Sequence, residues 1–351
     1  MSRSDAAALW PGLLYCAGIA TLSFATWLFF KPISSLMWAF IYSITIANLV
    51  KLPDKFTQGI NYCAGDLLRG VIASLGIVTS ALIWLQVGLG VLNALAVVFF
   101  SYFFGIWLGK KFGLNRRIST LIGVGTSICG ASAIAATGPA IGAKEEEMGV
   151  ALACITLFGL IAMFTYPFLY LSTGVGVLLR NSPSVYAIWC GSGVHETAQV
   201  IAAAGALDSN AIGPAIMVKS VRIFMIGPMI LLATYVLSRS SQGETGKSKT
   251  KVVIPAFGAI FIVNSIFCAL LDANASFIKA MGFDWSLVKG VLSGTVFPFL
   301  LATTFAGVGS KVRFRLIAKI GLRAFAFGAL MAALAGALAL VLAIAVAPFV
   351  N

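Results

Sequence analysis

Gly125-Thr126-Ser127-Ile128-Cys129-Gly130-Ala131-Ser132-Ala133-Ile134-Ala135-Ala136 is echoed by Gly191-Ser192-Gly193-Val194-His195-Glu196-Thr197-Ala198-Gln199-Val200-Ile201-Ala202. Aligned, the two read G-[TS]-[SG]-[IV]-x-x-[AT]-[SA]-x-[IV]-[AI]-A. Both are small-residue, Gly-containing stretches inside apolar surroundings. Each is followed, past a polar loop, by a long apolar segment that meets a proline, at Pro167 and at Pro228. Paired Gly-interrupted segments are the best sequence pointer to a substrate site in a membrane transporter. The second copy carries the only histidine of the chain, His195, beside Glu196. Ionisable groups inside a bilayer are costly and therefore usually serve function.

The surrounding composition fits a membrane setting. Of 351 residues, 60% are hydrophobic and 10% charged, and the mean hydropathy is +1.00. Apolar runs of about 20 residues recur along the chain, as bilayer-spanning helices require. These features exclude a soluble domain and imply an all-α polytopic membrane protein. It reads as one transmembrane transporter domain over 1–351, with a motif-bearing core at about 118–237. The alternating pattern of a transmembrane barrel is absent. The net charge of +13 does not signal nucleic acid, because the Lys and Arg residues sit in short loops between apolar segments, where topology selects for them. The six cysteines lie in apolar segments without C-x-x-C spacing. They read as buried thiols, not as disulfides or a metal site. No cofactor is implied.

Apolar segments fall near 9–30, 34–50, 60–83, 88–108, 118–139, 147–170, 184–205, 211–237, 252–271, 285–308 and 320–349. Two topologies fit these eleven segments. Either all of them cross, or 118–139 and 184–205 are re-entrant hairpins and nine cross. In both cases sixteen Lys and Arg residues fall on one side of the membrane and three on the other; only Lys144 and Arg180 exchange sides. The positive-inside rule then places the N-terminus in the cytoplasm. Eleven crossings leave the two motif copies pointing the same way, whereas nine invert them. A weaker echo between Leu67–Ser80 and Leu300–Ser310 favours an inverted repeat with broken helices.

The first copy supplies glycines and hydroxyls (Gly125, Thr126, Ser127, Gly130 and Ser132). At a helix break these expose backbone N–H groups, and a half-helix N-terminus binds anions without a charged side chain. The competing reading is tight helix packing, since small residues let backbones approach in membranes. In the second copy, Gly191, Ser192 and Gly193 precede His195, Glu196 and Gln199. On a helix the last three share a face. They form either a proton-sensitive pair with a polar neighbour or a buried, internally satisfied cluster. Lys219 and Arg222, spaced i, i+3 inside an apolar segment, either face an anion or Glu196, or snorkel to the interface. Asp66 and Arg69 read as an interfacial pair near the start of a span. Lys144-Glu145-Glu146-Glu147 suits a helix N-terminus. Asn264 and Ser265 either line a cavity or bond a neighbouring helix.

Two near-motifs fail. His195-Glu196-Thr197-Ala198-Gln199 lacks the second histidine of a zinc-protease H-E-x-x-H helix. Gly243-Glu244-Thr245-Gly246-Lys247-Ser248 lacks the first glycine of a P-loop, which would fall at Ser241. The chain therefore reads as no enzyme, and any active transport would be ion-coupled.

Several of these stretches together resemble the YeiH-like family of bacterial inner-membrane proteins, which carries the label of sulfate exporter. The matching residues are Gly125–Thr137, Ala143-Lys144-Glu145-Glu146-Glu147, Thr156-Leu157-Phe158-Gly159, His195-Glu196-Thr197-Ala198-Gln199-Val200, and Lys219 with Arg222. The likeness is strongest over 118–230. A later stretch, Thr303-Thr304-Phe305-Ala306-Gly307-Val308-Gly309, departs from the Met/Ala/Leu/Gly run usual there. The resemblance implies inverted repeats with broken helices, a bacterial inner-membrane location, a homodimer, and a substrate such as sulfate, sulfite or an organosulfonate. The expected function is secondary transport of a small anion across the lipid bilayer, coupled to protons or sodium. In that reading Lys219 and Arg222 supply positive potential, and His195 and Glu196 sense protons. The alternatives are a passive anion channel and a non-transporting sensor or scaffold.

Overall fold

A computed structural model describes residues 3–30, 33–82, 88–238, 256–314 and 321–350. Past its first residue, the Ser238–Lys251 loop lies outside them, and so does the P-loop-like stretch. The described residues are helical, with no strand among them. In chain order the helices used below are α1 (Arg3–Phe29), α2 (Ser35–Leu49), α3 (Thr57–Tyr62), α4 (Leu68–Leu75), α5 (Gly90–Lys111), α6 (Arg116–Ser127) and α7 (Ala131–Ala140). They continue as α8 (Glu145–Ser172), α9 (Pro183–Gly193), α10 (Thr197–Leu207), α11 (Ile212–Phe224), α12 (Ile226–Ser238), α13 (Ala256–Ala273), α14 (Trp285–Val291), α15 (Phe297–Lys311) and α16 (Leu322–Val346). Among the described residues, seven helical stretches are long and apolar enough to cross a bilayer. The protein is an all-α polytopic membrane protein.

The chain forms two compact units, one of 1–83 with 256–314 and one of 84–255 with 315–351. In the first, α2 and α15 lie side by side. Gly309 permits this, because a Cβ there would strike Ser43 and the Phe40 carbonyl. The Asn48 amide ties the two helix ends, donating to the Val312 carbonyl at 2.8 Å and accepting from the Phe314 N–H at 2.9 Å. The two stretches of the weaker echo differ in form. Leu300–Ser310 lies within unbroken α15, while α4 stops at Leu75 and the chain turns. Gly76 there packs directly on the Phe261 carbonyl of α13. Asn264 donates to the Ala73 carbonyl at 2.9 Å, and the Ser265 carbonyl accepts from Ala81 N–H at 2.9 Å. The Asn264 side chain thus bonds a neighbouring helix, while the Ser265 hydroxyl donates to the Phe261 carbonyl of its own helix at 2.9 Å.

In the second unit the two motif copies are broken helices of half-membrane length. The four halves, α6, α7, α9 and α10, have 12, 10, 11 and 11 residues. At 1.5 Å per residue each is about 15–18 Å long, half of a roughly 30 Å hydrocarbon core. Both pairs fold back on themselves. Asn115, the N-cap of α6, donates to Glu147 at the start of α8 at 2.5 Å. A Cβ on Gly142, just past α7, would lie 3.9 Å from the Arg117 guanidinium. The start of α6 and the end of α7 therefore sit together. Likewise Tyr186, in the first turn of α9, donates to the Ala203 carbonyl of α10 at 2.9 Å. Along one straight helix those residues would be about 25 Å apart. Both segments thus fold back as hairpins, the form that the re-entrant topology expects of them.

α8 sets the hairpins in opposite directions. Its 28 residues extend about 42 Å. Glu147 near its start receives the first hairpin, and Tyr170 near its end packs on Tyr186 of the second, ring centroids 4.8 Å apart. Three acids occupy its first turn, where the helix dipole favours them. Glu147 also accepts from the Lys144 N–H at 2.8 Å. Ser182 and Pro183 start α9 as N-cap and first helical residue. Single cysteines replacing Ala143 and Val177 are expected to react with impermeant reagents from opposite faces of the membrane. Val177 is preferable to Arg180 or Asn181, whose φ angles are positive. Labelling of both positions from one face would contradict the crossing of α8.

Candidate functional site

The hairpin tips meet beside the middle of α8. The first tip is Ile128-Cys129-Gly130. Gly130 holds φ +73° and ψ −118°, which reverses the chain between α6 and α7 and which only glycine adopts without strain. The second tip is Val194-His195-Glu196, extended at Val194 and Glu196. His195 and Glu196 therefore lie in a break, and the helical face expected to carry them with Gln199 does not form. A Cβ on Gly130 would stand 2.6 Å from Glu196 Cγ, so the tips touch.

Glu196 caps α10. The Gln199 side-chain oxygen accepts from the Glu196 N–H at 3.1 Å, one half of a capping box. Thr156 of α8 donates its hydroxyl to Glu196 Oε1 at 3.2 Å, and the Thr156 carbonyl accepts from Gln199 Nε2 at 3.3 Å. Gly159, one turn along, leaves the space that the Gln199 amide fills. Thr156 and Gly159 join the site although no role was read for them in sequence. The sequence signal was present in Thr156-Leu157-Phe158-Gly159, but a glycine seat for an amide is visible only in three dimensions.

Lys219 and Arg222 stand one turn apart on α11, both 0% exposed, which rules out snorkelling. Their hydrogen-bond acceptors are backbone carbonyls at the broken ends of α6 and α9. Arg222 Nε donates to Ser127 at 2.9 Å, and a terminal nitrogen donates to Thr126. Its other terminal nitrogen donates to Ser192 at 2.5 Å, Val194 at 3.1 Å and Gly191 at 3.3 Å. Lys219 donates to Val194 at 2.8 Å and His195 at 2.5 Å. A helix end leaves its last carbonyls without intrahelical donors and carries partial negative charge. The two cations meet both needs at two helix ends together. The planar five-donor guanidinium suits the doubly shared position, which a lysine ammonium could not span.

The remaining sequence candidates divide. Gly125, Gly191 and Gly193 are packing positions: a Cβ would meet Ile155, the Ala215 carbonyl and the Tyr166 hydroxyl respectively. Ser127 donates to the Val124 carbonyl of its own helix at 2.9 Å. Ser132 lies exposed on the first turn of α7, outside the buried cluster. Three more of these candidates are buried without a protein partner: the hydroxyls of Thr126 and Ser192, and both ring nitrogens of His195, which is 1% exposed. Buried polar groups are nearly always bonded, so each exception requires an explanation such as a ligand or water.

The comparisons with known proteins show the family. The family model described as Conserved hypothetical protein 698 matches residues 11–328. A UPF0324 membrane protein of Pseudomonas aeruginosa is 30% identical over 330 residues, 92% of this chain and 90% of that one. A UPF0324 membrane protein of Photorhabdus laumondii is 33% identical over 281 residues, 77% and 78% of the two chains. The UPF0324 inner membrane protein YeiH of Salmonella typhi is 37% identical over 242 residues, 67% of each chain. The resemblance read from the motifs is thus borne out, and the chain belongs to the family of Conserved hypothetical protein 698, the UPF0324/YeiH membrane proteins.

Proposed function

We propose that this protein is a secondary transporter of a small anion in the bacterial inner membrane, with its N-terminus in the cytoplasm. The observation that carries the reading is the meeting of two oppositely inserted re-entrant hairpins on two fully buried cations. Half-helix ends facing each other near mid-membrane are how transporter folds build substrate sites. The formal charges favour an anion. Lys219 and Arg222 oppose Glu196, which leaves one positive charge in a low-dielectric setting where it acts strongly on a bound ion. The negative ends of α6 and α9 are offset by the positive ends of α7 and α10, which open at the same tips. The Thr126 and Ser192 hydroxyls and the His195 ring supply polar contacts that no protein group uses. Sulfate, sulfite and organosulfonates are the substrates to try first, with proton or sodium coupling and a homodimeric assembly.

Glu196 is the proton-coupling group in this reading, since it joins both tips and α8. In proteoliposomes with an imposed pH gradient, Glu196→Gln is expected to abolish pH-dependent flux while the protein stays monodisperse. His195→Ala is expected to shift the pH optimum or uncouple flux. Wild-type flux indifferent to both proton and sodium gradients would instead favour a passive anion channel.

A further inference from the structure

Three helix ends of the second unit crowd five cations around one turn. α5 ends in Lys110 and Lys111, a turn follows, and α6 opens with Arg116 and Arg117. Gly113 holds φ +62° in that turn, a left-handed conformation that glycine adopts without strain. Its N–H donates to the Lys110 carbonyl at 3.2 Å, and the Leu114 N–H donates to the Gly109 carbonyl at 3.1 Å. α16 delivers the fifth cation. A Cβ on Gly113 would lie 3.5 Å from the Arg323 guanidinium, and the Phe112 and Phe327 rings pack edge to face with centroids 5.8 Å apart. Lys110, Lys111, Arg116 and Arg323 are exposed, and Arg117 is half-buried.

Acids do not balance this patch. The ion pairs among the described residues are Asp66–Arg69, Lys279–Asp284 and Lys289–Asp272, and none of them includes any of the five cations. Arg116 donates to the Val236 carbonyl of α12 at 3.4 Å. Topology selection explains cations on one side of a membrane. It does not explain three of them in the first turns of α6 and α16, which hold no acid and where the helix dipole opposes positive charge. α8 shows the favoured arrangement, three acids in its first turn. An apolar stripe leads to the patch. Phe99, Phe103 and Trp107 of α5 are exposed and repeat every four residues up to Lys111, so they share one side of a helix apolar enough to cross the bilayer. The stripe runs about 18 Å from Phe99 to Lys111. At its end the Lys111 ammonium lies 4.0 Å from the Trp107 ring centroid, which holds the charge beside the apolar surface.

We infer that this surface binds an anionic phospholipid, its phosphate among Lys110, Lys111 and Arg323 and an acyl chain along Phe99, Phe103 and Trp107. A phospholipid presents charge and hydrocarbon in the order in which the patch and the stripe receive them; a soluble anion would use the patch alone. The inference does not rest on the anion site at the hairpin tips. The test follows the thermal midpoint of the full-length protein in neutral detergent micelles. Phosphatidylglycerol is added, or phosphatidylcholine with the same acyl chains, or glycerol 3-phosphate without chains. A ligand of the folded state raises the midpoint with concentration. Phosphatidylglycerol is expected to do so saturably, and the other two are not. Each Lys or Arg near an anionic lipid surface is worth roughly fivefold in affinity. A Lys110→Gln, Lys111→Gln, Arg323→Gln triple variant is therefore expected to need at least tenfold more phosphatidylglycerol for half of the effect, and Lys111→Gln alone severalfold more. Lys51→Gln, Lys55→Gln, Lys311→Gln removes three exposed cations of the first unit and is expected to leave the response within twofold of wild type. Equal responses to the two lipids would overturn the selection of an anionic headgroup. Equal losses in the two triple variants would overturn the placement at this patch. A midpoint rise with glycerol 3-phosphate matching that with phosphatidylglycerol would overturn the lipid in favour of a soluble phosphate.

Discussion

Arg222→Met is expected to be the most damaging single substitution in the chain. The guanidinium is fully buried and donates to carbonyls of Thr126, Ser127, Gly191, Ser192 and Val194. Methionine fills comparable space but donates nothing. The broken ends of α6 and α9 would keep buried carbonyls with no donor, each costing about 1–3 kcal/mol. Hydrogen bonds to a charged donor contribute about 1.5–3 kcal/mol each, so losing them together takes a large part of a typical stability reserve of about 5–15 kcal/mol. Loss of the monodisperse peak on size exclusion, or a large fall in the thermal midpoint, is the expected result. Arg222→Lys is expected to recover little, since one ammonium cannot bridge both helix ends. Lys289→Ala is the control. Its ion pair with Asp272 at 2.6 Å is part-exposed, and such a pair contributes about 1 kcal/mol or less. Equal stability of Arg222→Met and Lys289→Ala would remove the capping role assigned to Arg222.

Gly130→Ala is expected to come next. A residue with a side chain at φ +73° and ψ −118° carries about 1–3 kcal/mol of backbone strain. The new methyl would also stand 2.6 Å from Glu196 Cγ and 3.0 Å from Ile155, and overpacking adds a further 1–3 kcal/mol or so. Relief would come by parting the two tips, so the expected loss covers both stability and any activity that needs Glu196 in place. Gly149→Ala in α8 is the matched control, because nothing lies within 4 Å of its Cβ. It is expected to be neutral or to stabilise by up to about 1 kcal/mol. Comparable thermal midpoints for the two variants would show that the tips are not in contact as described.

Much of this arrangement could be read from the residues, and the failures have physical causes. The duplicated Gly-containing stretches marked both broken helices because a break needs residues that tolerate unusual backbone. The charge tally could not separate crossing from re-entrant segments, since Lys144 and Arg180 merely exchange sides. Contacts between residues distant in sequence show both segments folding back, Asn115 with Glu147 and Tyr186 with Ala203. His195 and Glu196 were expected on a helix because their spacing to Gln199 suits one. The capping arrangement of Glu196 with Gln199 starts the helix after them instead. Lys219 and Arg222 signalled buried charge correctly, but their acceptors are carbonyls, which have no sequence signature.

The central claim is that the hairpin tips hold an anion. The most direct measurement uses two buried hydroxyls near the tips, those of Thr126 and Ser192, that have no protein partner. Purified wild type and a Thr126→Val, Ser192→Ala double variant would be titrated with sulfate, sulfite, sulfonates, carboxylates and halides while thermal midpoints are followed. A ligand that binds the folded state raises the midpoint with concentration. Removing an unsatisfied buried hydroxyl leaves the unliganded fold as stable or more so. If the hydroxyls contact a charged ligand, their loss costs about 1.5–3 kcal/mol each, at least a tenfold loss of affinity. The expected result is saturable stabilisation of wild type by one class of anion, weakened at least tenfold in a double variant whose unliganded midpoint is undiminished. An anion response identical in the two proteins, or none in wild type, would contradict the claim.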